Sequence, residues 1–312
     1  MILAGVAHIP TAPPSLGAML AWYPQPIPLL PALAILAALA YGLGLRRLRG
    51  IGRPWPWWRS ACFLGGCALL LVVTGLAIEG YGYTLFSAWM FQHLTLSIAI
   101  PPLLVLGSPG VLLLRAVPHH GLGRWVLRLA LGALRGRPAR ILLSHPVTIS
   151  LFLFSYYGVY LTSIVDVVGA STIGHLGLEL FFLASGILFI VPVLSTGPLP
   201  VRQTNIGRFF DLFLEMPLHA FFGVIIMMAT SPMIERFAHP PAGWGVDPMA
   251  DQQLAGALAW SYGEPIAFVI VVVFAIRWRR DEERSAASRE RENRSGDAEL
   301  AAYNAYLADL RR

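Results

Sequence analysis

The chain has 312 residues, of which 56% are hydrophobic and 13% charged, and it carries a net charge of +6. Soluble domains carry about a quarter charged residues, so this composition points away from them and toward an integral membrane protein. The basic excess is entirely arginine and sits in short gaps between apolar runs, the pattern of inner-face membrane loops and not of a nucleic-acid-binding surface.

Residues 1–27 lack a basic start and are broken by prolines, so they read as an extracytoplasmic segment and poorly as a signal peptide. Seven apolar stretches follow, at 28–45, 60–79, 86–107, 146–167, 172–194, 208–232 and 252–276, each near the roughly 20 residues that cross a bilayer. None alternates like a barrel strand. The fold class expected is therefore all-α, a polytopic membrane helix bundle of about seven transmembrane helices over 28–277. Arginines fill the loops 46–59 and 108–145 and open the tail, and they are absent from the gaps 80–85 and 168–171, with Arg236 the exception in 233–251. That alternation places the N-terminus outside and the C-terminus inside. Cys62 and Cys67 read as small packing residues. Between spans, Arg124, Arg128 and Arg135 share one helical face and Leu122, Trp125 and Leu129 another, as in a helix lying in the interface. The segment 278–312 reads as a cytoplasmic charged tail. A short helix is expected where Leu300, Tyr303, Leu307 and Leu310 recur behind a cap at Ser295 or Asp297.

Ionisable groups inside spans are costly and mark function by default. His93 stands in the outer third of the third stretch, above Pro101 and Pro102, which should kink or break that helix. His175 and Glu179 are four apart and share a face. Asp211, Glu215 and His219 step by four along the sixth stretch, and Asp251 opens the seventh, with Glu264 deeper. Asp166 closes the fourth stretch on the outer side. His93, His175, Glu179, His219 and Asp251 are the candidate metal ligands, because imidazole and carboxylate together suit copper or zinc. Met227, Met228 and Met233 could add soft thioethers for cuprous ion. The plainer readings are hydrogen-bonded core histidines, a polar pair stitching helices, packing methionines, and Tyr156, Tyr157 and Tyr160 packed with buried hydroxyls.

Five segments carry a resemblance: "FQHLTLSIAIPPLLVLGSP", "SHPVTISLFLFSYYGVYLTSIVD", "HLGLELFFLASGILFIVPVL", "EMPLHAFFGVIIM" and "DQQLAGALAWSYGEP". In this order, over about 85–275, they resemble the multi-span CtaG family of cytochrome c oxidase assembly proteins. The resemblance implies a multi-pass protein of the bacterial plasma membrane that helps copper reach a terminal oxidase. It implies oxidase subunits or other copper-handling proteins as partners, besides the lipid bilayer, and no catalysis of its own. It carries His93, His145, His175, His219 and Asp251 as candidate positions. Near Glu179 the family pattern implies a histidine, and glutamate there points to a differently tuned site. Two other classes stay open. One is an intramembrane haem-binding redox protein, with His93 facing His175, or a metal-dependent enzyme, for which no His-Glu-x-x-His motif is present. The weaker one is an ion or metal transporter using Asp211, Glu215, His219 and Glu264, for which no inverted repeat is visible.

Overall fold

A computed structural model describes residues 7–118, 120–194 and 204–309. His119 and Arg202 fall outside these, as do the side chain of Asp211 and Leu310. The described residues are helical and contain no strand. Six helices are long and apolar enough to cross a membrane: Leu29–Gly50, Trp57–Gly75, Phe86–Ala116, Thr172–Leu194, Ile206–Met228 and Pro248–Arg291. They coincide with six of the seven expected stretches. Their outward faces carry Leu36, Leu39, Leu43, Phe213, Phe221 and Phe268, all exposed, as lipid contact requires.

The expected span at 146–167 is shorter than its apolar run. A helix at His145–Leu153 passes into a π turn at Phe154–Gly158 and stays helical to Tyr160. That is roughly 16 residues, or about 24 Å of helix against a hydrocarbon core of about 30 Å. Beyond Tyr160 the chain leaves the helix, with the Thr162 hydroxyl donating to the Gly158 carbonyl at 2.6 Å. A separate turn of helix, Ile164–Val167, carries the chain onward.

Helix α1 (Leu29–Gly50) packs on α2 (Trp57–Gly75), where Tyr41 stacks on Phe63 at 4.2 Å and its hydroxyl donates to the Gly107 carbonyl. Leu76 is extended, with φ −104° and ψ 179°, so α2 stops at Gly75 and a short helix α3 (Ala77–Tyr81) restarts at an angle. The chain then enters α4 (Phe86–Leu94), a π turn over Thr95–Ala99, and α5 (Ile100–Leu106).

The π turn accounts for the paired prolines. They sit in the first turn of α5, where a missing N–H and a fixed φ are tolerated. Ile100 N–H bonds five residues back to the Thr95 carbonyl. The Thr95 and Ser97 hydroxyls donate to the carbonyls of Phe91 and His93 at 2.7 and 2.8 Å. Pro101 has no N–H for the Ser97 carbonyl. That carbonyl lies against Gly186, where a Cβ would collide with it. The expected break is thus a close crossing with the helix that carries His175.

Helix α6 (Pro109–Ala116) packs on α1, and the segment expected at the interface forms α7 (Gly121–Arg135), which exposes Trp125 and Leu129. The helix at His145–Leu153 is α8, and α9 is Thr172–Leu194. Then come α10 (Asn205–Met228), α11 (Pro248–Ser261) and α12 (Gly263–Asp309). As far as Asp309 the charged tail continues α12 and is not a separate capped helix. Ion pairs four residues apart, such as Arg279 with Glu283 and Arg294 with Glu290, support it.

Residues 8–25 fold across α3. The Ala77 N–H donates to the Ala21 carbonyl, the Tyr81 hydroxyl to Ala12, and the Trp244 indole to Thr11. The backbone of His8 approaches Gly80 so closely that a Cβ there would lie 2.6 Å from its carbonyl oxygen. Gln25 closes this cover by accepting from the His8 N–H at 3.0 Å and donating to its carbonyl at 2.9 Å.

Candidate metal centre

The restart of the chain at α3 turns Glu79 into the bundle, where it is 4% exposed. It is the sole acidic residue before Asp166. From α9, His175 and Glu179 face it, 1% and 2% exposed. One ligand atom from each of Glu79, His175 and Glu179 lies within 4.8 Å of the others. The His175 Nε2 is 3.3 Å from Glu79 Oε1. The other oxygen, Oε2, accepts from Gln92 Nε2 at 2.6 Å, and that amide also donates to the Val73 carbonyl. A cavity of about 10 Å³, bounded by Gln25, Thr74, Tyr83 and Thr172, adjoins the two carboxylates.

Aromatic rings hold the imidazole in place. Tyr83 stacks on His175 at 3.8 Å and 9°, and Trp89 leans on it at 4.5 Å. Burial, then the charges of Glu79 and Glu179, push the Tyr83 phenol above its usual range, so it keeps its proton. Arg236, the exception to the arginine alternation, has a specific task here. Its Nε donates to the Tyr83 carbonyl at 3.0 Å, its Nη1 to the Gly169 carbonyl, and its guanidinium lies over the Tyr83 ring. Its own N–H donates to Asp166 at 2.9 Å, which gives Asp166 its role. Burial pulls Arg236 below its ordinary value, while Tyr83 and Asp166 oppose that.

The hydrogen bonds of the centre are incomplete. Both His175 ring nitrogens and Glu179 Oε1 are buried without a hydrogen-bond partner; the approach of Nε2 to Glu79 has ion-pair distance without hydrogen-bond geometry. Buried polar atoms are nearly always satisfied, so such a set calls for an explanation. Two carboxylates in one low-dielectric site also cannot both stay charged without a proton or a cation between them. A metal ion would answer both requirements at once, and the residues fit one.

The other sequence candidates lie elsewhere. The phenol oxygen of Tyr160 lies 2.9 Å from His93 Nδ1, and the His93 ring stacks on Phe182 at 3.8 Å. Phe182 touches Trp89, which touches His175, so an aromatic layer stands between the two histidines. His219 meets Tyr156 edge-on at 4.9 Å and packs on Gly263. Tyr156 also contacts the His93 ring and pairs its hydroxyl with Ser97. The Nε2 atoms of His93 and His219 are buried without partners. These residues form a second polar layer. Of the candidate histidines, His175 thus stands in one layer and His93 and His219 in the other.

Asp251 belongs to neither. It accepts from the Phe86 N–H at 2.6 Å, the Ser87 N–H at 3.3 Å and the Ser87 hydroxyl, capping α4 from another helix. His145 opens α8, about 22 Å of helix from Tyr160. Met228 is exposed, Met227 packs on Gly256, and Met233 is held by Gln252. Sequence reasoning missed Glu79 because it falls at the nominal end of an apolar run. Its isolation among apolar residues was the available signal.

The sequence profile of the cytochrome c oxidase caa3 assembly factors matches residues 39–281. The chain belongs to that family. The match takes in Glu79, His175 and Glu179 together. The chain is also 37% identical over 294 residues to an uncharacterized protein of Mycobacterium bovis and to one of Mycobacterium tuberculosis. With one of Mycobacterium leprae it shares 35% over 297 residues. Each alignment covers 91% of this chain, which spans 44% of the relative's length. No solved structure matches.

Proposed function

We propose that this chain serves the maturation of a copper-containing cytochrome c oxidase by holding copper at Glu79, His175 and Glu179, in the outer half of the bundle. The observation that supports this is the buried imidazole and carboxylate set with unsatisfied donor atoms. The family supplies the context of oxidase assembly. The role is that of a carrier in the bacterial plasma membrane, working beside the oxidase or its other assembly proteins, and not of an enzyme. Copper is cargo here: Glu79, His175 and Glu179 would hold it, Gln92 would orient Glu79, and Tyr83 and Trp89 would exclude water. A coordinating imidazole and carboxylates bind in proportion to how well their neighbours fix them, and both kinds of support are present.

The test is complementation of a deletion strain with wild-type protein or the Glu79→Gln variant, at matched expression. Membrane oxidase activity, oxidase copper content and copper co-purifying with the chain are then measured. The expected outcome is that Glu79→Gln loses co-purified copper and lowers oxidase copper by at least about 10-fold, the low end of what losing even a residue that supports a ligand costs. Full oxidase maturation with Glu79→Gln would overturn the proposal.

A further inference from the structure

Resting on that reading, we infer that the Glu79–His175–Glu179 centre selects a divalent ion, cupric or zinc, over cuprous ion, and that Glu79 makes the selection. The donor set is two carboxylates and one imidazole, all oxygen and nitrogen. Such donors suit divalent first-row ions, whereas cuprous ion is favoured by thiolate and thioether sulfur. Neither cysteine joins the set: Cys62 and Cys67 both lie on α2, and Cys67 packs in an apolar cluster with Tyr41, Leu45 and Phe63.

Charge leads to the same choice. Glu79 and Glu179 together bring two negative charges into a place where every residue of the set is at most 4% exposed. A divalent ion neutralises them. A monovalent ion leaves one uncompensated buried charge, which protein interiors tolerate poorly. Removing the Glu79 charge alone would leave one carboxylate and one imidazole, a set with much less to distinguish the two valences. Glu79 is also the residue whose position the fold over-determines. It sits on a separate short helix, receives the Gln92 amide, and lies beneath the cover formed by residues 8–25. Gln92 is a positioning residue, since its amide reaches Glu79 and its Oε1 lies against Gly82.

The experiment uses the full chain purified in lipid nanodiscs. Zinc and cupric ions are titrated aerobically, and cuprous ion anaerobically against a cuprous chelator, for wild type, Glu79→Gln and Gln92→Leu. Circular dichroism and thermal melting confirm that each variant folds. The expected result is one tightly held divalent ion per chain, with a cupric electron spin resonance spectrum showing nitrogen and oxygen ligation. Glu79→Gln removes a ligand and should weaken zinc and cupric binding by more than the roughly 10- to 100-fold that losing an outer partner such as Gln92 costs, and leave cuprous binding little changed. Gln92→Leu should give a smaller divalent loss in the same direction. Tighter cuprous than divalent binding, lost in Glu79→Gln, overturns the inference while leaving copper handling intact. Absence of any bound ion in folded wild type, with an infrared band of a shared carboxyl proton, overturns it as well. Divalent binding as expected, alongside normal oxidase maturation in Glu79→Gln cells, supports this inference and removes the functional reading instead.

Discussion

Asp251 and Glu79 show how little an acidic side chain's identity says about its work. Both are buried, and both stand near the arginine-poor end of the bundle. Asp251 meets backbone N–H groups and a hydroxyl at the start of α4, so its charge is answered by hydrogen bonds and by the helix dipole. Glu79 meets a second carboxylate and an imidazole whose nitrogens lack hydrogen-bond partners. Asp251→Ala should therefore lower thermal stability by about 0.5–2 kcal/mol, the range for a lost cap, and leave bound metal at the wild-type level. Melting curves and metal analysis of the same preparation check both parts. Loss of metal without loss of stability would return Asp251 to the ligand set the sequence suggested.

At the scale of elements, the π turn in the third apolar stretch links backbone irregularity to the position of the site. It lets α4 and α5 run as one apolar crossing while the Ser97 carbonyl, deprived of a partner by Pro101, faces the glycine of α9. π turns gather at functional sites because they re-aim side chains within a helix. Here His93 lies just before the turn, and Ser97 within it meets Tyr156. Gly186 is the narrow point, since a Cβ would meet both the Ser97 carbonyl and the Pro101 ring. Gly186→Ala should cost about 1–3 kcal/mol by overpacking, read as a lower melting temperature in detergent. Because α9 also carries His175 and Glu179, the same variant should weaken divalent binding. Unchanged melting would show that the crossing is looser than the structure draws it.

Within the bundle before residue 269, one end is poor in arginine, where residues 8–25, α3 and the loop around Arg236 interlock, and the other is rich in it. The positive-inside rule leads one to expect the first at the outer face, and accessibility to a labelling reagent tests it. In a background with Cys62→Ser and Cys67→Ala, Gly243→Cys should react with a membrane-impermeant maleimide on intact cells, and Arg53→Cys only after permeabilisation. The reverse pattern would put the metal centre on the cytoplasmic side. The sequence by itself determined the membrane class, the all-helical fold, most of the spans, the His175–Glu179 pair and the family resemblance. Each is written in local composition, in spacing along one helix, or in motif order, and these survive without knowledge of neighbours. The tertiary structure alone decided that Glu79 joins the pair, that His93 and His219 lie behind an aromatic layer, and that Asp251 is a cap. It alone showed the fourth stretch leaving the helix after Tyr160, within an apolar run. These depend on which helices meet and at what angle. Contacts between residues as far apart in sequence as Glu79 and His175 leave no trace in the periodicity of either segment, and only the packed bundle brings their side chains to a common point.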